Sequence, residues 1–142
     1  MDFYNIIQKF HSGWAYLVLL FLFIAIVNSF VGHSKKRVFT AKDRKIALLG
    51  LVSTHIMFVV GMILYFVSPL GLDSLGEMKI ADIRLTSLEH PLINLIGIIL
   101  ITVGWSKHKR VGVALKFKQI YVFYGLGLLL ILLRIPWKAW FS

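Results

Sequence analysis

Three of the five histidines in this sequence fall inside long apolar stretches, where their side chains could bind a metal or carry a proton. They are His11, His55 and His90. An ionisable side chain within a membrane segment is costly, so it indicates a functional site by default. Neutral imidazole is a ligand for haem iron, zinc, copper and non-haem iron. We expect His33 and His108, which lie among basic residues, to be solvated.

Four apolar stretches assign these three histidines to different transmembrane segments. At about 1.5 Å per residue, ~20 residues cross the ~30 Å of bilayer hydrocarbon. We predict spans over residues 4–31, 46–67, 87–105 and 119–133. The chain of 142 residues is 58% hydrophobic, above the ~45–50% of soluble domains. The sequence therefore predicts one domain, residues 1–142, that is an all-α integral membrane four-helix bundle.

Turn and capping signals mark the ends of these spans. The second span stops at residues 68–71, Ser-Pro-Leu-Gly, a turn sequence. Thr86 and Glu89 match the Thr-x-x-Glu capping box, which predicts that the third span begins there. Glu89 either caps this helix or orients a histidine. Residues 78–85 alternate apolar and charged side chains, and we expect a short surface helix there that could cap a site.

The basic residues orient the bundle in the membrane. Of 16 lysines and arginines, six lie in residues 33–45 and five in residues 106–118, while the middle loop, residues 68–86, has two. The positive-inside rule places the two basic loops in the cytoplasm. Both termini and the middle loop are then predicted to lie outside, on the periplasmic side of a bacterial inner membrane. The net charge of +10 thus reflects topology and not nucleic-acid binding.

Several kinds of chemistry are excluded. The chain has no cysteine, so it has no disulfide, thiolate metal site, iron–sulfur cluster or cysteine nucleophile. It also has no Gly-rich phosphate loop, no paired membrane carboxylates and no His-Glu-x-x-His motif. Nothing therefore indicates hydrolysis or nucleotide use.

Depth in the membrane limits which histidines could share one iron. Counting about 1.5 Å per residue from the basic loops places His55 at about 15 Å, His90 at about 22 Å and His11 at about 28 Å. Four-helix bundles commonly build cofactor sites between facing helices. We therefore expect His90 to be one axial ligand of haem b, with His55 or His11 as the other. Arg84 and Arg134, near the outer ends of the spans, could pair with haem propionates or with lipid phosphates.

Nearly the whole chain is covered by a series of short motifs, each of which occurs once. They are His11-Ser12 with Trp14, Phe39 with Asp43, His55-Ile56 with Gly61, residues 64–69, Ile83-Arg84, Glu89-His90, residues 98–104, Lys116-Phe117-Lys118 and Ile135-Pro136-Trp137. In this order and spacing the sequence resembles a family of short four-span bacterial membrane proteins labelled cytochrome b-like. The family has an Arg before the Trp of the first motif, where this chain has Gly13. The resemblance implies haem b and electron transfer, with His11, His55 and His90 as the matching ligands.

These observations predict a membrane b-type cytochrome-like electron-transfer module. It would exchange electrons between a quinone and a membrane or periplasmic redox partner, and the third histidine would serve a quinone or a second haem. Three alternatives remain open. The chain could be a non-catalytic accessory subunit of a larger respiratory or secretion complex, a three-histidine site for zinc, copper or non-haem iron, or an enzyme of haem metabolism.

Overall fold

The structure is a computed structural model that describes residues 1–142 and contains helices but no strands. The helices are α1 (Phe3–Ser34), α2 (Ala41–Val67), α3 (Ala81–Arg84), α4 (His90–His108), α5 (Val113–Leu133) and α6 (Trp137–Trp140), with a 3₁₀ turn at Leu72–Ser74 and a π-helical turn at Leu85–Glu89. The π turn joins α3 and α4 into one continuous helix, Ala81–His108. This helix, α1, α2 and α5 are each long and apolar enough to cross a membrane. The predicted all-α bundle of four membrane helices is therefore confirmed.

The four long helices form a ring of antiparallel neighbours. Helix α1 packs against α2 and α5, and α4 packs against the same two helices. Helices α1 and α4 therefore lie on one diagonal of the bundle, and α2 and α5 on the other. The short loops 35–40 and 109–112 lie at one end, which we call the basic end. Both termini and residues 68–80 lie at the opposite end, which we call the cavity end.

The outer surface of this ring is apolar. Only 26 of the 142 residues are buried, while large side chains such as Phe23, Ile99 and Leu129 are more than half exposed. A water-exposed surface of this kind would be unfavourable, because apolar area costs free energy in water. Contact with lipid removes that cost, so the surface is compatible with a bilayer environment.

Small and aromatic residues pack the helices closely towards the basic end. A Cβ atom added to Gly32 of α1 would lie 2.6 Å from the Phe117 ring of α5, so that ring fills the space of the missing side chain. The Tyr124 hydroxyl donates a hydrogen bond of 2.8 Å to the Ala47 carbonyl across the α2–α5 diagonal. Trp14 Nε1 of α1 likewise donates to a carbonyl of α2 at 2.9 Å. These contacts fix α1, α2 and α5 relative to one another.

The start of the third membrane helix differs from the prediction. The helix begins at Ala81, and Thr86 lies within the π turn, where its hydroxyl donates to the Ile83 carbonyl at 3.2 Å. Glu89 contacts Arg84 at 3.2 Å and caps no helix. The predicted capping box is therefore wrong. The π turn is the physical reason, because it continues the helix through Thr86 and Glu89, where the capping-box pattern predicted the start of the helix.

The middle loop also differs in part. Helix α2 ends at Val67, as the turn sequence predicts. Of residues 78–85, only α3 is an α-helix, and it extends a membrane helix instead of lying across the bundle. The loop residues that reach the interior are Ser68, Leu70 and Gly71. The cap over the bundle therefore lies earlier in this loop than predicted.

His108 is buried, so the prediction that it is solvated is wrong. It is 2% exposed at the end of α4, with its ring between those of Trp105 and Phe39, at centroid distances of 4.5 and 5.5 Å. Its Nδ1 bonds the Trp105 carbonyl, which satisfies the ring nitrogen inside the protein. His33 is half-buried against Tyr121, at a centroid distance of 5.5 Å.

Candidate functional site

A cavity of about 230 Å³ lies among the helices at the cavity end. Its walls come from α1, α2 and the turn after it, α4, α5, the segment after α5, and α6, and most of the lining is apolar. Among the polar lining side chains are His11 of α1 and His90 and Asn94 of α4. Small residues, Ala15 of α1 and Gly61 of α2, also line the space. The cavity therefore places two of the three predicted ligand histidines in one apolar chamber.

His11 enters this cavity with an unsatisfied polar atom. Its Nδ1 is buried and has no hydrogen-bond partner. The ring lies over Gly61, where an added Cβ would be 3.4 Å from Cε1 of the histidine. An unpaired buried polar group costs about 1–3 kcal/mol, and buried polar atoms in native proteins nearly always have partners. No side chain or backbone group of the chain therefore satisfies this nitrogen, which lies at the wall of the cavity.

His90 is held in one tautomer by a backbone carbonyl. Its Nδ1 lies 2.9 Å from the Arg134 carbonyl oxygen, and because a carbonyl can only accept, Nδ1 must carry the hydrogen. The Asn94 amide nitrogen donates to the His90 carbonyl at 2.6 Å and also lies 3.0 Å from His90 Nδ1, but two donors cannot bond each other, so with Nδ1 donating to Arg134 this second contact is not a hydrogen bond. In the neutral ring Nε2 is then a bare acceptor. Metal-binding histidines are commonly oriented by this kind of hydrogen bond.

His11 and His90 face one another across the α1–α4 diagonal. Their ring centroids are 6.2 Å apart and the ring planes are at 87°. Two imidazoles that each bind one metal at about 2.0 Å place their centroids about 6 Å apart. The distance between the two ring centroids is therefore compatible with one metal ion between the rings. No group of three or more His, Cys, Asp or Glu side chains comes together as a metal site, so a three-histidine set is not assembled.

His55 lies apart from this pair. It is exposed on the side of α2 that faces α4, and its Nε2 is 2.9 Å from the Thr102 hydroxyl oxygen. It does not line the cavity. The sequence left two possible partners open for His90. The structure places His11 beside it and His55 on the outer surface of the bundle, between α2 and α4.

Arg84 and Arg134 lie beside the cavity and share one carboxylate. Arg84 Nε is 3.2 Å from Glu89 Oε2, and Arg134 Nε is 3.5 Å from Glu89 Oε1. This ion pair was not predicted from the sequence, because helical ion pairs form at i, i+3 and i, i+4. The π turn brings residues five apart into register and so pairs Arg84 with Glu89.

Comparison with protein families, with characterised proteins and with solved structures finds no match to this chain. The class that the fold and site define is a four-helix membrane protein with a histidine-lined cavity at one end. Membership of the cytochrome b-like family stays a prediction.

Proposed function

We propose that this chain is a b-type cytochrome-like electron-transfer module of the bacterial inner membrane that binds haem b between His11 and His90. The observation that supports it is the pair of imidazoles 6.2 Å apart in an apolar chamber, each with a ring nitrogen free to bind iron. Bound haem supplies one-electron transfer. By the positive-inside rule the cavity end, with both termini, faces the periplasm.

In this proposal each residue has a distinct task. The Arg134 carbonyl orients His90 by accepting from Nδ1, which leaves Nε2 without a hydrogen bond from this carbonyl. His11 offers Nδ1 from the opposite helix of the diagonal. Apolar side chains such as Ile98 and Ile131 form part of the chamber wall around the two imidazoles. The guanidinium groups of Arg84 and Arg134 are the cations available to propionates, and Glu89 keeps them at the cavity until then.

The size of the cavity supports a second candidate. At about 230 Å³ it is smaller than the ~300–1,000 Å³ typical of sites for drug-sized ligands. A macrocycle requires the surrounding helices to move apart, whereas a single metal ion does not. The second candidate is therefore a zinc, copper or non-haem iron ion held by His11 and His90, with small ligands completing its coordination.

The test is an absorption spectrum of the detergent-purified protein, as isolated and after dithionite. A Soret band with sharp α and β bands on reduction is the expected result. Both His11→Ala and His90→Ala should abolish these bands, while the matched variant His55→Ala should retain them. A colourless protein from haem-replete cells, with a bound metal by elemental analysis, supports the metal ion instead.

A colourless and metal-free protein overturns both candidates. The chain would then be better explained as an accessory subunit of a larger respiratory or secretion complex. Affinity purification from native membranes, followed by identification of co-purified subunits, tests that reading.

A further inference from the structure

A second concave surface lies on the outside of the bundle, between α2 and α4. It encloses about 360 Å³, and its walls are apolar side chains that include Phe58, Val59, Leu95 and Ile99. The two polar residues in it are His55 and Thr102. We call this surface the outer groove. It is separate from the cavity of His11 and His90, although Phe58 and Ile98 line both.

The hydrogen bonds in the outer groove fix the tautomer of His55. The Thr102 hydroxyl donates its single hydrogen to the Ile98 carbonyl at 2.8 Å. Its oxygen can therefore only accept from His55 Nε2, 2.9 Å away. The hydrogen of the neutral ring is then on Nε2, and Nδ1 is a bare acceptor without a hydrogen bond. A ligand that satisfies Nδ1 must bring a donor.

The depth of His55 restricts how a ligand can arrive. His55 lies near the middle of α2, which has 27 residues, and its ring is exposed at the surface of the bundle. The middle of a membrane helix contacts hydrocarbon, where a free polar atom has no water to bond. The ligand must therefore enter sideways from the bilayer, and it must carry a hydroxyl or amine hydrogen at that depth.

We propose that the outer groove binds the ring of a membrane quinol, with one ring hydroxyl donating to His55 Nδ1. A quinol combines a flat ring, a hydroxyl donor and an apolar tail. In the outer groove the ring would pack beside Phe58, the hydroxyl would donate to His55, and the tail would lie along the apolar walls. Phe58 and Ile98 line both spaces, so the inference places a quinol beside the redox site that we propose above. Binding itself does not depend on haem.

The test uses the full chain, labelled with ¹⁵N-histidine, in lipid nanodiscs and titrated with decylubiquinol. We expect a saturable shift of the His55 Nδ1 resonance. The oxidised probe, decylubiquinone, lacks the hydroxyl hydrogen and should bind about tenfold more weakly, as expected for the loss of one hydrogen bond. Thr102→Val, which frees the tautomer of His55, should also weaken quinol binding. Val103→Ala, which alters only an apolar wall, should weaken it less.

Several results overturn the inference. An unchanged His55 signal with both probes does so, and so does equal binding of quinol and quinone. Self-association that covers His55 in the absence of probe would assign the groove to a second copy of the chain instead. His90→Ala separates this inference from the haem proposal, because it should abolish the haem bands and leave the quinol-dependent shift intact. Far-ultraviolet circular dichroism shows that each variant retains its helices.

Discussion

The two ends of the bundle each hold a carboxylate against arginine, but they surround it differently. At the basic end the side chain of Asp43 is 2% exposed, and its oxygens contact Arg37 at 3.2 Å, Asn28 at 3.0 Å and Thr40 at 2.9 Å. At the cavity end the side chain of Glu89 is 28% exposed and contacts only two arginines. At the basic end the carboxylate itself is buried and has several hydrogen-bond donors, whereas at the cavity end the carboxylate is partly exposed and contacts arginines alone.

Packing follows the same division. Towards the basic end the Phe117 ring fills the space beside Gly32, and Tyr124 is fully buried. At the cavity end the interior holds about 230 Å³ of space and the unpaired Nδ1 of His11. Binding sites are drawn from the less stable parts of proteins, because a site must leave groups unsatisfied until its ligand arrives. The basic end therefore stabilises the bundle, and the cavity end is available for function.

The sharpest test of this division is to remove each carboxylate in turn. Asp43→Ala takes the acceptor away from Asn28, from the Thr40 backbone and from the partly exposed Arg37, and we expect a loss of about 2 kcal/mol in the free energy of unfolding. Glu89→Ala removes a partly exposed ion pair and should cost less than about 1 kcal/mol. Reversible unfolding in mixed detergent micelles, followed by circular dichroism, measures both. Equal losses would contradict the division.

The contact between α4 and α5 provides the next test. A Cβ atom at Gly127 would lie 2.7 Å from the Gly97 carbonyl oxygen, so Gly127→Ala must push the two backbones apart. We expect a loss of about 2 kcal/mol in the same unfolding assay. Gly125 is the matched control, because nothing lies within 4 Å of its added Cβ. Gly125→Ala should be neutral or slightly stabilising, as alanine favours the helix. A stable Gly127→Ala protein would show that this contact can relax.

The sequence was sufficient for the four membrane helices but not for the site. Hydropathy and length define the helices, because crossing hydrocarbon demands about 20 apolar residues whatever the packing. The rotation and tilt of each helix depend on its neighbours, and for this reason counting along the spans left both His55 and His11 open as partners of His90. The burial of His108 and the π turn at Leu85–Glu89 were missed for the same reason. His108 is covered by Phe39, which lies 69 positions earlier in the sequence, and this kind of distant contact cannot be read from one segment.

His11 offers a test in which loss of a site residue should raise stability. Replacing it with leucine removes the unpaired buried Nδ1 and keeps an apolar side chain of similar size in the cavity. We expect haem-free His11→Leu to be stabilised by about 1–2 kcal/mol. His90→Leu is the contrasting variant, because it takes the hydrogen-bond donor away from the Arg134 carbonyl and should destabilise the protein. If His11→Leu destabilises the haem-free protein as well, His11 has a structural role that its contacts do not show.

The smallest expected effect compares two tyrosine hydroxyls, one in each region. Tyr124 donates to the Ala47 carbonyl at 2.8 Å in the packed interior, and Tyr65 donates to the Ser87 carbonyl at 3.0 Å beside the cavity. Tyr124→Phe should cost about 1 kcal/mol, because no water can replace the lost hydroxyl. Tyr65→Phe should cost about 0.5 kcal/mol, at the low end for a hydrogen bond, because Tyr65 lines a cavity in which a water molecule can satisfy the carbonyl. The same unfolding assay resolves this difference only with replicate titrations. A reversed order would mean that the cavity end is held as firmly as the basic end, and that its open space is a rigid, preformed site.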